Sequence, residues 1–163
     1  MAARGGVADE PVSRPELAIL VGLPGAGKTT FFETRLAATH VHVSKDLWPK
    51  SADKSVRQAR ELKAELSAGR SVAVDNTNPT VADRALVIAV AREHGARVIG
   101  YYFAADPREA IGRNRAREGK ARVPNVAIFT TAKRMVPPER SEGFDELYQV
   151  RVAGDGGFEV QPM

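Results

Sequence analysis

The sequence of 163 residues contains no cysteine, which excludes disulfides, thiolate metal sites and a cysteine nucleophile. It also has no apolar stretch near the roughly 20 residues that a membrane helix needs, and Met1–Glu10 has no apolar run typical of a signal peptide. These absences favour a reducing, cytoplasmic location and no membrane partner. Because 43% of residues are hydrophobic and 27% charged, a wholly disordered chain and a collagen-like chain are excluded.

The basic excess of the chain is confined to one stretch. Lys and Arg number 24 and Asp and Glu 20, which gives a net charge of +4. The stretch Arg108–Arg122 holds six basic and two acidic residues, so it alone carries +4 and the rest sums to zero. A local basic stretch indicates an anionic partner such as phosphate or nucleic acid, although a solvated basic helix face has the same composition.

Strand and helix patterns alternate along the chain. Apolar runs predict strands at Leu17–Val21, Val41–Val43, Ser71–Val74, Arg97–Phe103 and Leu147–Val152. Spacing, caps and breakers predict helices at about Lys28–Thr39, Ser55–Ala68, Asn78–His94, from Asp106-Pro107 onward, and Val126–Met135. Such alternation predicts an α/β fold with a parallel sheet and helices on both faces. We expect residues 1–15 to be a disordered leader and residues 16–163 a single domain.

A glycine-rich segment between the first strand and the first helix carries the strongest motif. Residues 22–29, GLPGAGKT, fit GxxxxGK[ST], in which backbone N–H groups and a helix N-terminus surround phosphate oxygens. Lys28 would reach the β- and γ-phosphates of ATP, and the Thr29 hydroxyl would bind Mg²⁺. A plain glycine turn is the alternative, but the flanking strand and helix favour nucleotide binding. The candidate nucleotide-binding residues are Gly22, Pro24, Gly25, Ala26, Gly27, Lys28, Thr29 and Thr30.

Two carboxylates follow predicted strands, at the edge where ligands bind in open parallel sheets. Asp75 ends an apolar strand, as a Walker-B aspartate does, and would hold the water shell of Mg²⁺ opposite Thr29, although any strand can end in Asp. Asp46 follows the second strand and could accept the proton of a hydroxyl that attacks the γ-phosphate; a cap or turn aspartate is the alternative. The candidate metal residues are therefore Thr29 and Asp75, and Asp46 is the candidate base.

The basic stretch also contains two arginines at helical spacing. Arg113 and Arg117 are four apart and would share one face of a helix, whereas Arg115 would point away. Two guanidiniums that converge on the transferred phosphate are typical of phosphoryl transfer. Gly119 and Pro124 would interrupt the helix and make this region a mobile lid.

Aromatic rings and imidazoles give weaker indications. Trp48, the only tryptophan, lies close to Asp46 and could stack on a substrate base, but core packing is at least as consistent with the sequence. His40, His42 and His94 are interpreted as structural residues.

Taken together, these segments resemble the kinase domain of polynucleotide kinase-phosphatases, in the 5′-hydroxyl polynucleotide kinase family. The similarity runs from about Ile19 to Arg151. It rests on the segments GLPGAGKTTF at 22–31, VHVSKD at 41–46, VAVDNTNP at 72–79, RNRARE at 113–118 and EGF at 142–144.

The resemblance implies a P-loop fold with five parallel strands in the order 2-3-1-4-5 and an Arg-rich lid. It implies that Asp46 is the general base on a nucleic-acid 5′-hydroxyl. It also implies that Arg117 binds the ATP phosphates with support from Arg113. Pro49 stands where some members of the family have an arginine. The sequence also shows no phosphatase domain, so a separate phosphatase or ligase is an expected partner.

The leading hypothesis is thus an ATP- and Mg²⁺-dependent kinase acting on the 5′-hydroxyl of DNA or RNA. A kinase of a small hydroxylated metabolite, such as a sugar, nucleoside or antibiotic, is the nearest alternative on the same fold. A nucleotide-dependent binding switch is a third, although a switch needs no carboxylate such as Asp46.

Overall fold

The computed structural model describes residues 14–117, 119 and 122–163. The strands are β1 (Glu16–Gly22), β2 (His40–Val43), β3 (Ser71–Asp75), β4 (Arg97–Phe103), β5 (Glu146–Val152) and β6 (Phe158–Pro162). They form one sheet in the order β2-β3-β1-β4-β5-β6. β1 is buried along nearly its whole length at the centre, as its continuous apolar run requires.

Helices connect the parallel strands. They are α1 (Lys28–Phe31), α2 (Lys54–Ser67), α3 (Val81–Glu93), α4 (Pro107–Arg115) and α5 (Asn125–Arg134). The predicted helix Lys28–Thr39 is shorter than expected: after α1 the chain takes a π-helical turn, Phe32–Leu36, in which the Ala37 N–H donates to the Phe32 carbonyl at 2.8 Å. The start of α4 is confirmed, since Asp106 caps it by accepting the Glu109 N–H at 2.9 Å.

The predicted order of the first five strands is confirmed, and all four of their pairings are parallel. The prediction of only five strands is wrong, because β6 adds an antiparallel strand at the edge beside β5. A turn reverses the chain there, with the Ala153 N–H donating to the Gly157 carbonyl at 2.8 Å. Most of β6 is exposed and it ends at Pro162, so it lacks the apolar run that identifies a buried strand.

Each face of the sheet carries its own core. On one face, Leu62 and Leu66 of α2 and Val87 of α3 pack against β1 and β3. On the other face, Phe31 of α1 and Ile128 of α5 pack with side chains of the same strands. Because β1, β2 and β3 run in parallel, their carboxyl ends lie on the same side of the sheet, where the glycine-rich loop follows β1 and polar residues follow β2 and β3.

The predicted start of α3 at Asn78 is wrong. Thr80 caps this helix and forms a capping box with Asp83. Asn78 instead has a positive φ of 46° and is buried, and its side-chain amide donates to the Leu20 carbonyl at 2.8 Å. The amide is therefore used to fasten the loop after β3 to the central strand.

The predicted leader, residues 1–15, stays a prediction for most of its length. Residues 1–13 lie outside the described residues, but Arg14 and Pro15 are held in place: the Arg14 Nε donates to the Gly95 carbonyl and the Arg97 N–H to the Pro15 carbonyl, both at 2.9 Å. Among the described residues, no helix has the length and apolarity required to cross a bilayer.

Candidate phosphoryl-transfer site

The loop of residues 22–29 joins β1 to α1 and is closely covered by α4. Gly25 has a φ of +83°, and a Cβ at this position would lie 2.6 Å from the Ala110 carbonyl oxygen. Only glycine allows both this conformation and this contact. Pro24, Gly25, Lys28, Thr29 and Thr30 line a cavity of about 1070 Å³, whereas Gly22, Ala26 and Gly27 belong to the same loop but do not line the cavity.

Lys28 is the buried cation of this loop, with only 7% of its surface exposed. Its Nζ donates to the Gly22 carbonyl at 2.9 Å and to the Leu23 carbonyl at 2.8 Å. Burial and the repulsion of Arg117 lower the pKa of Lys28 to about 8, although the attraction of Asp75 acts in the opposite direction. The ammonium is thus mostly charged at neutral pH and available to a phosphate.

Thr29 and Asp75 meet beside Lys28. Asp75 Oδ2 accepts the Thr29 hydroxyl at 2.8 Å and also lies 2.9 Å from His42 Nε2. Burial acts to raise the pKa of Asp75, but the hydrogen bonds from His42 and Thr29 and the charge of Lys28 outweigh it, so the pKa lies below its ordinary value. An ionised carboxylate and a hydroxyl are the oxygen ligands that Mg²⁺ prefers, so this pair fits the ion.

Asp46 lies in a 3₁₀ turn, Lys45–Leu47, directly after β2. Its side chain is exposed and lines the same cavity as Lys28 and Asp75. The Asp46 N–H donates to the Ser44 hydroxyl at 3.2 Å, so Ser44 and not Asp46 is the cap of this turn. The Asp46 side chain lines the cavity instead.

Asn76 fastens this turn to the rest of the site. Its Oδ1 accepts the Lys45 N–H at 2.9 Å, and its Nδ2 donates to Gln58 Oε1 of α2 at 2.6 Å. The backbone that carries Asp46 is therefore tied to the end of β3 and to α2 through a single side chain. The sequence alone indicates no role for Asn76, because its contacts depend on where the turn Lys45–Leu47 and Gln58 lie relative to the end of β3.

The arginines of the basic stretch occupy different positions. Arg117 lines the cavity, and its charge contributes to the lowered pKa of Lys28. However, α4 ends at Arg115, so the predicted shared helix face does not account for the position of Arg117. Arg113 is half-buried against the loop, 3.5 Å from the Gly25 carbonyl and 3.8 Å from Glu109, and Arg115 is exposed.

The predicted lid is only partly described, because residues 118, 120 and 121 lie outside the described residues. Gly119 has a φ of +58°, and Pro124 immediately precedes α5. Both residues lie between α4 and α5, but α4 already ends at Arg115, so Gly119 does not interrupt it, and the mobile lid stays a prediction.

Trp48 packs against the core on the α2 side of the sheet, with the Arg57 guanidinium 4.8 Å from its ring centroid. These contacts favour the core interpretation over base stacking. His40 pairs with Glu16 at 3.2 Å and His94 Nδ1 lies 2.9 Å from the Val90 carbonyl, as structural residues would. His42 differs, since it contacts Asp75.

A buried ion pair supports the loop after β3. The Arg84 side chain is fully buried and donates to both carboxylate oxygens of Glu142, at 2.8 and 2.9 Å, and to the Asn78 carbonyl at 2.9 Å. Glu142 opens the segment EGF, whose Phe144 is in the core. The segment EGF is thus linked to the loop that contains Asn76 and Asn78, because Glu142 binds Arg84 and Arg84 binds the Asn78 carbonyl.

Comparisons with known proteins agree with this architecture. A family model described as an AAA domain matches residues 17–138. The chain is 29% identical over 139 residues to the bifunctional polynucleotide phosphatase/kinase of Schizosaccharomyces pombe, an alignment that covers 83% of this chain and 33% of that protein. The resemblance indicated by the sequence motifs is thereby confirmed. The chain spans about a third of the length of the curated relatives it matches.

Two solved structures show how widely the fold is shared. The Pnkp1/Rnl/Hen1 RNA repair complex contains a chain with a TM-score of 0.63 and 23% identity, covering 78% of this chain and 46% of that one. A gluconokinase from Sinorhizobium meliloti 1021 has a TM-score of 0.61 and 17% identity, covering 87% and 85%. At these identities the likeness establishes the fold alone.

Proposed function

The chain belongs to this AAA domain family, and on that premise we propose that it is an ATP-dependent kinase that transfers the γ-phosphate to the 5′-hydroxyl of a polynucleotide. The observation that carries the proposal is one cavity lined by the phosphate loop, by Asp75, by Asp46 and by Arg117. A donor nucleotide and an acceptor hydroxyl can therefore meet in the same space.

The donor half of the cavity supplies positive charge and backbone donors. The loop of residues 22–29 would surround the phosphates, and Lys28 and Arg117 would stabilise negative charge on the transferred group. Arg113 would support the loop from its contact with Gly25. Thr29 and Asp75 would hold Mg²⁺, which when bound neutralises charge on the phosphate oxygens.

The acceptor half supplies a base. Asp46 would accept the proton of the acceptor hydroxyl while that oxygen forms a bond to the γ-phosphorus. The bond between the γ-phosphorus and the bridging oxygen breaks, and ADP leaves with the bond's electron pair. Asn76 would keep Asp46 in place, because it holds the Lys45 N–H of the same turn.

The lining of the acceptor half offers apolar surface for a nucleobase. Beyond Asp46 the cavity continues between α2 and α3, where five aliphatic side chains line it beside the polar Ser55, Gln58 and Asp83; the aliphatic residues are Ala59, Leu62, Leu86, Val87 and Val90. A nucleobase has apolar faces that suit the first set and polar edges that suit the second, so this lining supports the proposed acceptor.

Two lysines supply the charge that a strand would need. Lys45 and Lys54 line this half, and among the described residues neither has a carboxylate within 4 Å. Arg134 also lines it but lies 3.6 Å from Asp83. The lysines could attract phosphates in place of the arginine that some members of the family have at the position of Pro49.

The proposal also includes the setting of the activity. We propose that the protein acts in nucleic-acid repair in the cytoplasm, together with a separate phosphatase or ligase.

The direct test is an acceptor panel. The protein is incubated with γ-labelled ATP and Mg²⁺ and, in separate reactions, 5′-hydroxyl DNA, 5′-hydroxyl RNA, nucleosides, and sugars that include gluconate. We expect label on the 5′-hydroxyl strands, with the same strands carrying a 5′-phosphate as the matched control. Label on a sugar or a free nucleoside alone would establish the small-metabolite kinase, and ATP binding with no labelled acceptor would favour a binding switch.

A further inference from the structure

His42 lies in β2, a strand of four residues in which histidines and valines alternate. β2 alternates, so Val43 joins the core on the α2 side of the sheet, and His42 points to the opposite side. There its ring stacks on Phe32, with centroids 4.4 Å apart and an interplanar angle of 26°. The ring is thus fixed by a neighbour that follows directly after the phosphate-loop helix.

The fixed ring contacts the candidate metal carboxylate. His42 Nε2 lies 2.9 Å from Asp75 Oδ2, the oxygen that also accepts the Thr29 hydroxyl. An ionised carboxylate only accepts hydrogen bonds, so Nε2 must carry the hydrogen in this pair. Both donors end on one oxygen, and they come from β2 and α1, which restrains the rotation of the carboxylate.

We propose that His42 is a positioning residue that orients the Asp75 carboxylate for the Mg²⁺ of the bound nucleotide. Partners that hydrogen-bond a metal-binding group fix its orientation, and their loss weakens metal binding by about 10- to 100-fold. Two observations carry the proposal: the 2.9 Å contact and the stacking on Phe32 that holds the ring in position. The inference rests on the Mg²⁺-nucleotide part of the proposed function and does not depend on the acceptor.

His40 provides a matched control. It lies two residues earlier on the same strand, and it too contacts a carboxylate, Glu16 Oε1, at 3.2 Å. Its side chain is 8% exposed, so it is at least as buried as His42, whose side chain is 28% exposed. However, Glu16 is at the amino end of β1, the opposite end from the phosphate loop. A substitution at His40 therefore reveals any general damage to β2 while the contact between His42 and Asp75 stays intact.

The experiment measures Mg²⁺ binding rather than turnover. ADP binding is first measured in EDTA, and the ADP complex is then titrated with Mg²⁺ by calorimetry and by melting temperature. We expect His42→Phe, which keeps a ring on Phe32 but has no donor, to bind ADP in EDTA within twofold of the parent. The Mg²⁺ concentration that gives half of the maximal response should rise by about 10- to 100-fold in this variant. His40→Phe should leave it unchanged.

A second pair of variants keeps the test independent of folding. His42→Gln places an amide N–H near the position of Nε2, whereas His42→Asn is one methylene shorter. Gln should restore Mg²⁺ binding and Asn should not. Equal Mg²⁺ titrations for parent and His42→Phe, equal shifts for His40→Phe, or equal behaviour of Gln and Asn would each overturn the proposal. If the parent complex itself shows no response to Mg²⁺, the metal site of the proposed function fails instead.

Discussion

The donor and acceptor halves of the cavity are built differently. On the donor side, Lys28 and Asp75 are buried and their polar atoms are held by hydrogen bonds. On the acceptor side, Asp46 is exposed, Lys45 and Lys54 are half-buried, and the backbone of this turn is fixed through Asn76. The proposed donor half is therefore held in place before any phosphate binds, whereas the proposed acceptor half combines a fixed turn, which carries Asp46, with an open surface.

This difference indicates that the shared fold accounts for the donor half, whereas the side chains particular to this chain account for the acceptor half. Gluconokinase and RNA-repair chains share the fold, so the donor half alone cannot select an acceptor. Selection depends on the side chains that line the open half. Variants on the two sides should consequently change different quantities.

The largest effect is expected on the donor side, at Arg117. Replacing Arg117 with alanine removes a positive charge from the cavity that Lys28 also lines, and arginines that stabilise phosphoryl transfer are worth about 10³–10⁵ in rate. Steady-state kcat should fall by that order. Arg115→Ala, two residues away and exposed, should remain close to the parent. Similar losses for the two variants would show that the stretch acts through its total charge.

An intermediate effect is expected on the acceptor side. If the acceptor is a strand, its KM should rise with salt, with a slope of about 0.7 per phosphate contact, while ATP affinity should change modestly. Lys54→Ala should reduce that slope by roughly one contact. Lys63→Ala, on the same helix but exposed and away from the cavity, is the control. An acceptor KM that is indifferent to salt would favour an uncharged metabolite.

The smallest effect concerns stability and pH on the donor side. The Lys28 pKa falls from 10.5 to about 8, so between these values the folded protein has released a proton that the unfolded chain still holds. Stability then rises with pH across this window, by up to about 1.4 kcal/mol per pH unit. The free energy of unfolding of the parent, minus that of Lys28→Met, should increase from pH 8 to 10. A difference that stays flat would place the charged ammonium in contact with water.

Elements with strong local patterns were predictable from the sequence. β4 has the predicted bounds Arg97–Phe103, because its apolar and aromatic residues form a run that only Gly100 interrupts. The Asp106 cap follows from local chemistry, since a carboxylate, a proline and a helical segment are adjacent. The GLPGAGKT loop was predictable for the same reason.

Features that depend on neighbours distant in sequence were not. The sequence favours a structural role for His42, because its contact with Asp75 depends on the register of β2 against β3 as well as on the two strands being neighbours. Asn78 has the composition of a helix cap, but the Leu20 carbonyl competes for its amide. β6 stayed undetected because an exposed edge strand has little apolar periodicity. The signal for His42 was present in part, since the predicted strand order already placed its strand next to Asp75.

The most direct test of the account is the Asp46→Asn variant, which keeps the size of the side chain and removes the base. Asp46 lies in the turn after β2, outside the phosphate loop, so ATP and Mg²⁺ should bind within about twofold of the parent. Single-turnover transfer to the 5′-hydroxyl of the labelled strand should fall by about 10²–10⁴. Transfer at the parent rate with unchanged ATP binding would show that Asp46 is a turn residue and would contradict the assignment of the acceptor half.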